Sequence, residues 1–206
     1  MASVNFENQD ASLVSAARKV AAVIADAGHT VCFAGGCVRD GLLGRPIHDI
    51  DIATSAKPDE IESLFKGRTV AVGKSFGIIV VRQDNQPFDV ATFRADGAYA
   101  DGRHPDSITF ATPEGDAQRR DFTVNGLFCD PFTGVITDYV GGVRDIADKR
   151  IRAIGDPEQR FAEDHLRMFR AIRFASVIGF FIEPETLAAI KTHACWLATV
   201  SAERIS

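Results

Sequence analysis

Between residues 11 and 27, apolar side chains recur at Leu13, Val14, Ala17, Val20, Ala21 and Ile24. That three-and-four spacing predicts an amphipathic helix, with Asp10 placed to cap its start and Gly28 to stop it. The run Val31-Cys32-Phe33-Ala34 predicts a strand ending on Gly35-Gly36, and 38–43 a short helix closed by Gly44. A second strand carries Asp49, Ile50, Asp51 and Ile52. Alternate strand residues face opposite sides, so the aspartates share one face while the isoleucines enter a core. Lys57-Pro58-Asp59 opens a helix to 65, and strands are predicted over 68–72, 78–82 and 87–93. In the last of these, Asp89 faces away from Phe88 and Val90.

Periodicity then lapses. Residues 94–106, rich in Gly, Asp and Ala, read as a long loop. A hairpin over 127–129 and 135–137 precedes a Gly141-Gly142 turn and a short helix over 143–148. From Pro157 the pattern is helical. The stretch 160–175 has no breaker; Phe161, Leu166, Phe169, Ile172 and Ala175 form its expected core stripe, and Asp164, Arg167, Arg170 and Arg173 another face. His165 points elsewhere on that helix and is read as incidental. Glu183-Pro184 opens a final helix to 193.

Composition narrows the class. The 206 residues are 46% hydrophobic and 25% charged with a net charge of −5, which fits a soluble globular chain and excludes binding of nucleic acid by bulk charge alone. Any RNA contact must come from a local basic patch. Cys32, Cys37, Cys129 and Cys195 form no C-x-x-C pair, so reduced thiols and a cytoplasmic location are expected. No apolar run reaches membrane-spanning length and the N-terminus lacks a leader pattern.

The candidate chemistry is concentrated in 33–54. Paired carboxylates at Asp49 and Asp51 repel each other and are best tolerated with cations between them. Gly35 and Gly36 let backbone N–H groups approach a phosphate, ahead of a helix start. A phosphate cradle beside a divalent-metal site is the equipment of phosphoryl or nucleotidyl transfer. Arg119 and Arg120 add planar cations suited to phosphate oxygens, and Asp121 can accept from a ribose hydroxyl.

Three motifs carry a family resemblance. G-G-x-V-R-D followed by L-L-G and D-x-D-x-x-T, then R-R-D-F-T-x-N, then E-D-x-L-R-M-x-R-A-x-R-F, together resemble the class II tRNA nucleotidyltransferase and bacterial poly(A) polymerase family. The resemblance implies an α+β fold: a polymerase-β-like head over 1–150, with a mixed, largely antiparallel sheet flanked by helices, then an all-helical neck over 151–206. It implies further body and tail domains, so the chain is read either as truncated before them or as an unusually minimal protein. It implies Asp49 and Asp51 as Mg²⁺ ligands in a two-metal site, with Asp89 completing the catalytic triad. Gly35, Gly36 and Arg39 would cradle the triphosphate, and Arg120 and Asp121 would contact the nucleotide. Asp164 and Arg167 would read the base edge of ATP or CTP, supported by Arg170 and Arg173. The partner implied is the 3′ end of tRNA. The long loop resembles the flexible loop of full CCA-adding enzymes, and Gly126 departs from an alanine common in the family. Bacterial poly(A) polymerase and a non-catalytic RNA-binding module are the alternatives; His48-Asp49-Ile50-Asp51 favours the tRNA enzyme over the first.

Overall fold

A computed structural model describes residues 2–97 and 107–199. In chain order its elements are α1 (Ala11–Asp26), β1 (Val31–Ala34), α2 (Gly36–Leu42), β2 (Asp51–Thr54), α3 (Pro58–Leu64) and β3 (Thr69–Gly73). There follow β4 (Ile78–Gln83), β5 (Gln86–Thr92), β6 (Arg94–Asp96), β7 (Ile108–Phe110), α4 (Pro113–Gln118), β8 (Leu127–Cys129) and β9 (Ile136–Asp138). The chain continues through α5 (Gly142–Ala147), β10 (Arg150–Ile151), α6 (Pro157–Glu163), α7 (Leu166–Ile178), β11 (Phe181–Ile182) and α8 (Pro184–His193).

The main sheet has the order β3-β4-β5-β2-β1-β8-β9, antiparallel except where β2 runs parallel to β5. That one parallel pairing matters: it sets the start of β2, with Asp51, beside the Asp89 stretch of β5. Helix α1 lies on the sheet and buries Leu13, Val14, Ala17, Val20, Ala21 and Ile24, the predicted face. Its cap is as expected, Asp10 accepting from the Ser12 and Leu13 N–H groups at 2.8 and 3.2 Å. Ile50 and Ile52 are buried and Asp49 and Asp51 exposed, as alternation requires, although the ladder begins only at Asp51. Cys37 and Cys129 are buried free thiols, and loss of water pushes each up to about 12, so they act as packing groups.

Three expectations need correction. Residues 94–96 are not loop: β6 pairs with β7 in a small antiparallel ladder continuing from β5, a strand too short to show periodicity. The rest of the predicted flexible loop, 98–106, lies outside the described residues. The second half is helical but not all-helical, since β10 and β11 form a parallel pair, Arg150 opposite Phe181.

The third correction is the largest. The predicted continuous helix over 160–175 is two helices, broken where Asp164 adopts extended φ −144° and ψ 105°. The break shifts the helical phase. Phe161 keeps its core position, but the buried face of α7 is Arg167, Met168 and Ala171, while Ile172 is exposed and Leu166 and Phe169 are half-buried. The apolar count of that stretch was real; its direction was wrong.

Candidate active site

The site lies on the face that carries Asp49, Asp51 and Asp89. Strand β1 delivers the chain to Gly35 at φ +71°, a backbone conformation that disfavours any side chain. A Cβ there would stand 3.1 Å from Arg120 Nη1, 3.8 Å from the Asn125 carbonyl and 3.9 Å from Asp51 Oδ2. Backbone, guanidinium and carboxylate therefore converge on one small volume. Helix α2 begins at Gly36 with no side-chain cap among the described residues, leaving its first N–H groups open to the cavity.

The second Gly-Gly is built differently. Asp138 Oδ1 accepts from the N–H groups of Val140, Gly141 and Gly142 at 3.1, 2.8 and 3.1 Å, and Oδ2 from Val143 at 3.0 Å. The protein's own carboxylate fills the position an anion would take, and the sequence reading of this segment as a turn stands.

The carboxylates act on one another. Asp51 is pushed up to about 6, first by loss of water against the cavity walls, then by the negative fields of Asp49 and Asp89, with Arg120 opposing. Such a donor set suits a hard divalent cation. Among the described residues, no group of three His, Cys, Asp or Glu side chains closes into a ready metal cage.

The arginines are held by acids, of which the sequence reading had placed only Asp121 in the site. Buried Asp116 accepts from Arg119 Nε and Nη2, both at 2.8 Å, and from Arg120 Nε and Nη2 at 3.1 and 2.9 Å. Burial alone would raise Asp116, but Arg120 and Arg119 outweigh it and hold the carboxyl below its ordinary range. Gripped on that edge, Arg120 turns Nη1 toward Gly35 and the Asn125 carbonyl. Arg39, also buried, pairs with both oxygens of Asp40 at 3.0 and 2.8 Å and donates to Asn125 Oδ1 at 2.6 Å. Asp121 accepts from Arg170 at 2.7 Å, Asn125 Nδ2 at 3.1 Å and its neighbour's N–H at 2.7 Å, so a ribose hydroxyl would share it with protein donors.

At the helix break, Asp164 Oδ1 accepts from the Leu166 N–H at 3.0 Å. Arg167 is buried, donating to Glu163 Oε2 at 2.7 Å and to the carbonyls of Arg160 and Arg119 at 3.1 and 3.4 Å. Phe174 carries three guanidinium groups about its ring, Arg39 and Arg170 at 5.2 Å and Arg173 at 5.4 Å from the centroid.

Asp49, Asp51, Asp89, Gly35, Gly36, Arg39, Arg120, Asp121, Asp164, Arg167, Arg170 and Arg173 all line one open cavity of 670 Å³. Asp40, Asn125 and Phe174 line it too and were not anticipated. The signal for Asp116 was present, an acid three and four residues ahead of Arg119 and Arg120. Asn125 and Phe174 lay inside motifs but showed no role by spacing. Gly126 has a local reason: a Cβ there would meet Val140 Cγ2 at 2.7 Å and Ile154 Cδ1 at 3.1 Å.

A mixed sheet with a glycine cradle and a field of carboxylates facing a wall of arginines defines a polymerase-β-like nucleotidyltransferase head. Residues 31–152 match the family model described as the poly A polymerase head domain, and 179–206 match one described as the probable RNA and SrmB-binding site of polymerase A. The chain belongs to the poly A polymerase head domain family. It is 47% identical over 189 residues to the CCA-adding enzyme of Levilactobacillus brevis, covering 91% of this chain and 47% of that protein. It is 49% identical over 180 residues to that of Enterococcus faecalis, covering 87% and 44%. The Bacillus stearothermophilus CCA-adding enzyme solved in complex with CTP superposes with a TM-score of 0.84 at 41% identity, over 93% of this chain and 46% of that one. The Thermotoga maritima CCA-adding enzyme complexed with tRNA gives 0.79 at 26% identity, over 100% and 49%. The chain spans about half the length of the curated relatives it matches. Among the described residues no helix is long and apolar enough to cross a membrane.

Proposed function

We propose that this chain is the head and neck of a template-independent RNA nucleotidyltransferase that adds CCA, or its terminal A, to tRNA 3′ ends from CTP and ATP. The observation that carries the reading is the single cavity in which carboxylates, glycine cradle and arginines meet. Residues 1–150 form the head, where the chemistry occurs, and 151–206 the neck, which selects the base. The working location is the cytoplasm, where the thiols stay reduced.

Gly35 and Gly36 present backbone N–H groups, and Arg39 and Arg120 present cationic edges, to the triphosphate. Asp49 and Asp51, with Asp89 beside them, would hold Mg²⁺, which when bound supplies charge neutralisation and a more acidic 3′ hydroxyl. The RNA 3′ hydroxyl gives up its proton to water as its oxygen bonds to the α-phosphorus, the bond to the β-phosphate oxygen breaks, and pyrophosphate leaves in line. Asp164 offers an acceptor to the base edge, and Arg167 a planar guanidinium that exchanges its bonds to Glu163 and the Arg160 and Arg119 carbonyls for base contacts, so protein groups take the place of a template. Arg170, oriented by Asp121, and Arg173 support the bound nucleotide.

The test is single-nucleotide extension with Mg²⁺ on tRNAs ending before CCA, after C and after CC, each with CTP or ATP alone, beside an unstructured RNA. Ordered C and A addition confined to tRNA supports the reading, and A only after CC narrows it to terminal-A addition. Long A tails on any RNA would replace it with poly(A) polymerase. Nucleotide binding without extension would leave a binding module.

A further inference from the structure

The break between α6 and α7 is held from a direction that the nucleotide site does not use. His165, the residue between Asp164 and Leu166, stands immediately before α7 and stacks on the Trp196 indole, with ring centroids 5.1 Å apart and planes 26° apart. His193, the last residue of α8, stacks on the same indole at 3.9 Å and 18°. His193 Nε2 also lies 3.8 Å from Glu158 Oε1 in the first turn of α6. One indole thus stacks on rings from the start of α7, His165, and from the end of α8, His193, and α8 is the helix packed against α6. The two helices on either side of Asp164 are referred to a common point.

That matters because Asp164 is extended rather than helical, so its carboxylate direction depends on how α6 and α7 meet. The cap from Asp164 to Leu166 and the Arg167 bonds to Arg160 and Glu163 close the break from within. The aromatic stack closes it from outside. We propose that His165 and Trp196 are positioning residues for base selection: their stack fixes the α6–α7 break and with it the direction in which Asp164 presents its carboxylate. The proposal rests on the reading of Asp164 and Arg167 as the base-selecting pair. It assigns His165, incidental by helical spacing, to nucleotide specificity, and gives the segment after α8 a part in it.

Trp196 is the only tryptophan in the chain, so its emission reports the stack directly. An imidazole stacked on indole quenches it; because His193 stays on the same ring, the effect of His165→Ala is read in a His193→Ala background, where it is expected to brighten Trp196. Equilibrium dialysis of the 206-residue protein with labelled CTP, ATP, GTP and UTP in Mg²⁺ gives base preference without need of turnover. In His165→Ala the preference for CTP and ATP over GTP is expected to narrow about fivefold, the equivalent of one lost aromatic pair. Affinity for inorganic tripolyphosphate should be unchanged, and His165→Phe, which keeps a ring, should restore the preference. Trp196→Leu removes the other partner and should narrow it equally. A folded His165→Ala protein with intact base preference would overturn the proposal, as would a His165→Ala/His193→Ala protein no brighter than His193→Ala alone. Equal binding of all four nucleotides by the unaltered protein would instead remove the base-selecting reading, and the proposal with it.

Discussion

Asp51→Asn should make the metal-free protein more stable while abolishing nucleotide transfer. Asp51 is pushed up to about 6 from 3.8 by its surroundings, so folding works against its ionised form. The sign follows from proton binding: between 3.8 and about 6 the folded state holds more protons than the unfolded chain. Stability from this group is therefore full below 3.8, falls as pH rises through about 6, and stays low above it. A shift of that size corresponds to roughly 3 kcal/mol for a group shut off from water. Asp51 faces an open cavity, and solvent screening reduces the figure to about 1–2 kcal/mol. For a chain of this length that is about 3–6 °C in melting temperature. Urea and thermal unfolding followed by circular dichroism in EDTA at pH 7.5 should show the gain, and the two proteins should converge as pH is lowered toward about 4. Excess Mg²⁺ should then raise the unaltered protein more than the variant. An Asp51→Asn protein no more stable than the original at pH 7.5 without metal, or a gain that persists undiminished at low pH, would refute the electrostatic account of the site.

Asp116→Asn is expected to cost about 2–3 kcal/mol at neutral pH, because it leaves Arg119 and Arg120 without their buried counter-charge. Asp116 is held below its ordinary range, so the original protein keeps this stability above the unfolded value and loses it only as acid protonates the folded carboxyl; urea midpoints of the two proteins should draw together below about pH 4. Gly35→Ala should strain the φ +71° position by about 1–2 kcal/mol and push Arg120 Nη1 away, lowering CTP affinity in dialysis by tenfold or more on the order of a lost charge-assisted bond while the protein stays folded. Asp138→Ala removes four N–H partners at the second glycine pair; melting should fall by the equivalent of about 1–2 kcal/mol with CTP affinity untouched.

Much of this was readable in the sequence because period and punctuation agreed locally. The α1 face, the strand before Gly35 and the alternation that sets Asp49, Asp51 and Asp89 to one side needed only spacing. Where reading failed, tertiary interactions had overruled local preference. Nothing between Arg160 and Ala175 breaks a helix by propensity; the break at Asp164 is sustained by Arg167 reaching back to Arg160 and Glu163 and by His165 reaching Trp196. The Glu163–Arg167 pair has ordinary i,i+4 spacing and would suit an unbroken helix as well; the His165–Trp196 contact is the one that no spacing rule announces. The acids that hold the arginines were hidden for a related reason. Asp116 and Asp40 read as ordinary neighbours of arginine until burial shows that each fixes one guanidinium edge and frees another.

The two glycine pairs show how far a motif can specify a site. Both follow a strand, open a short helix and precede Val, Arg and Asp. At Gly141 the backbone is left-handed, with ψ 20°, and Asp138 collects the N–H groups that follow, so that start is neutralised from within. At Gly35 ψ is −124°, α2 starts uncapped, and the nearest charges are Arg120 and Asp51 across the cavity. The dipeptide supplies only permission for the backbone to turn. Whether that turn becomes a phosphate cradle is decided by the residue that reaches the N–H groups first. At Gly141-Gly142 that residue is an aspartate three positions upstream, which a reader of sequence can look for. At Gly35-Gly36 the equivalent position, Cys32, carries a thiol that burial pushes up to about 11, and it brings no anion to compete with a triphosphate.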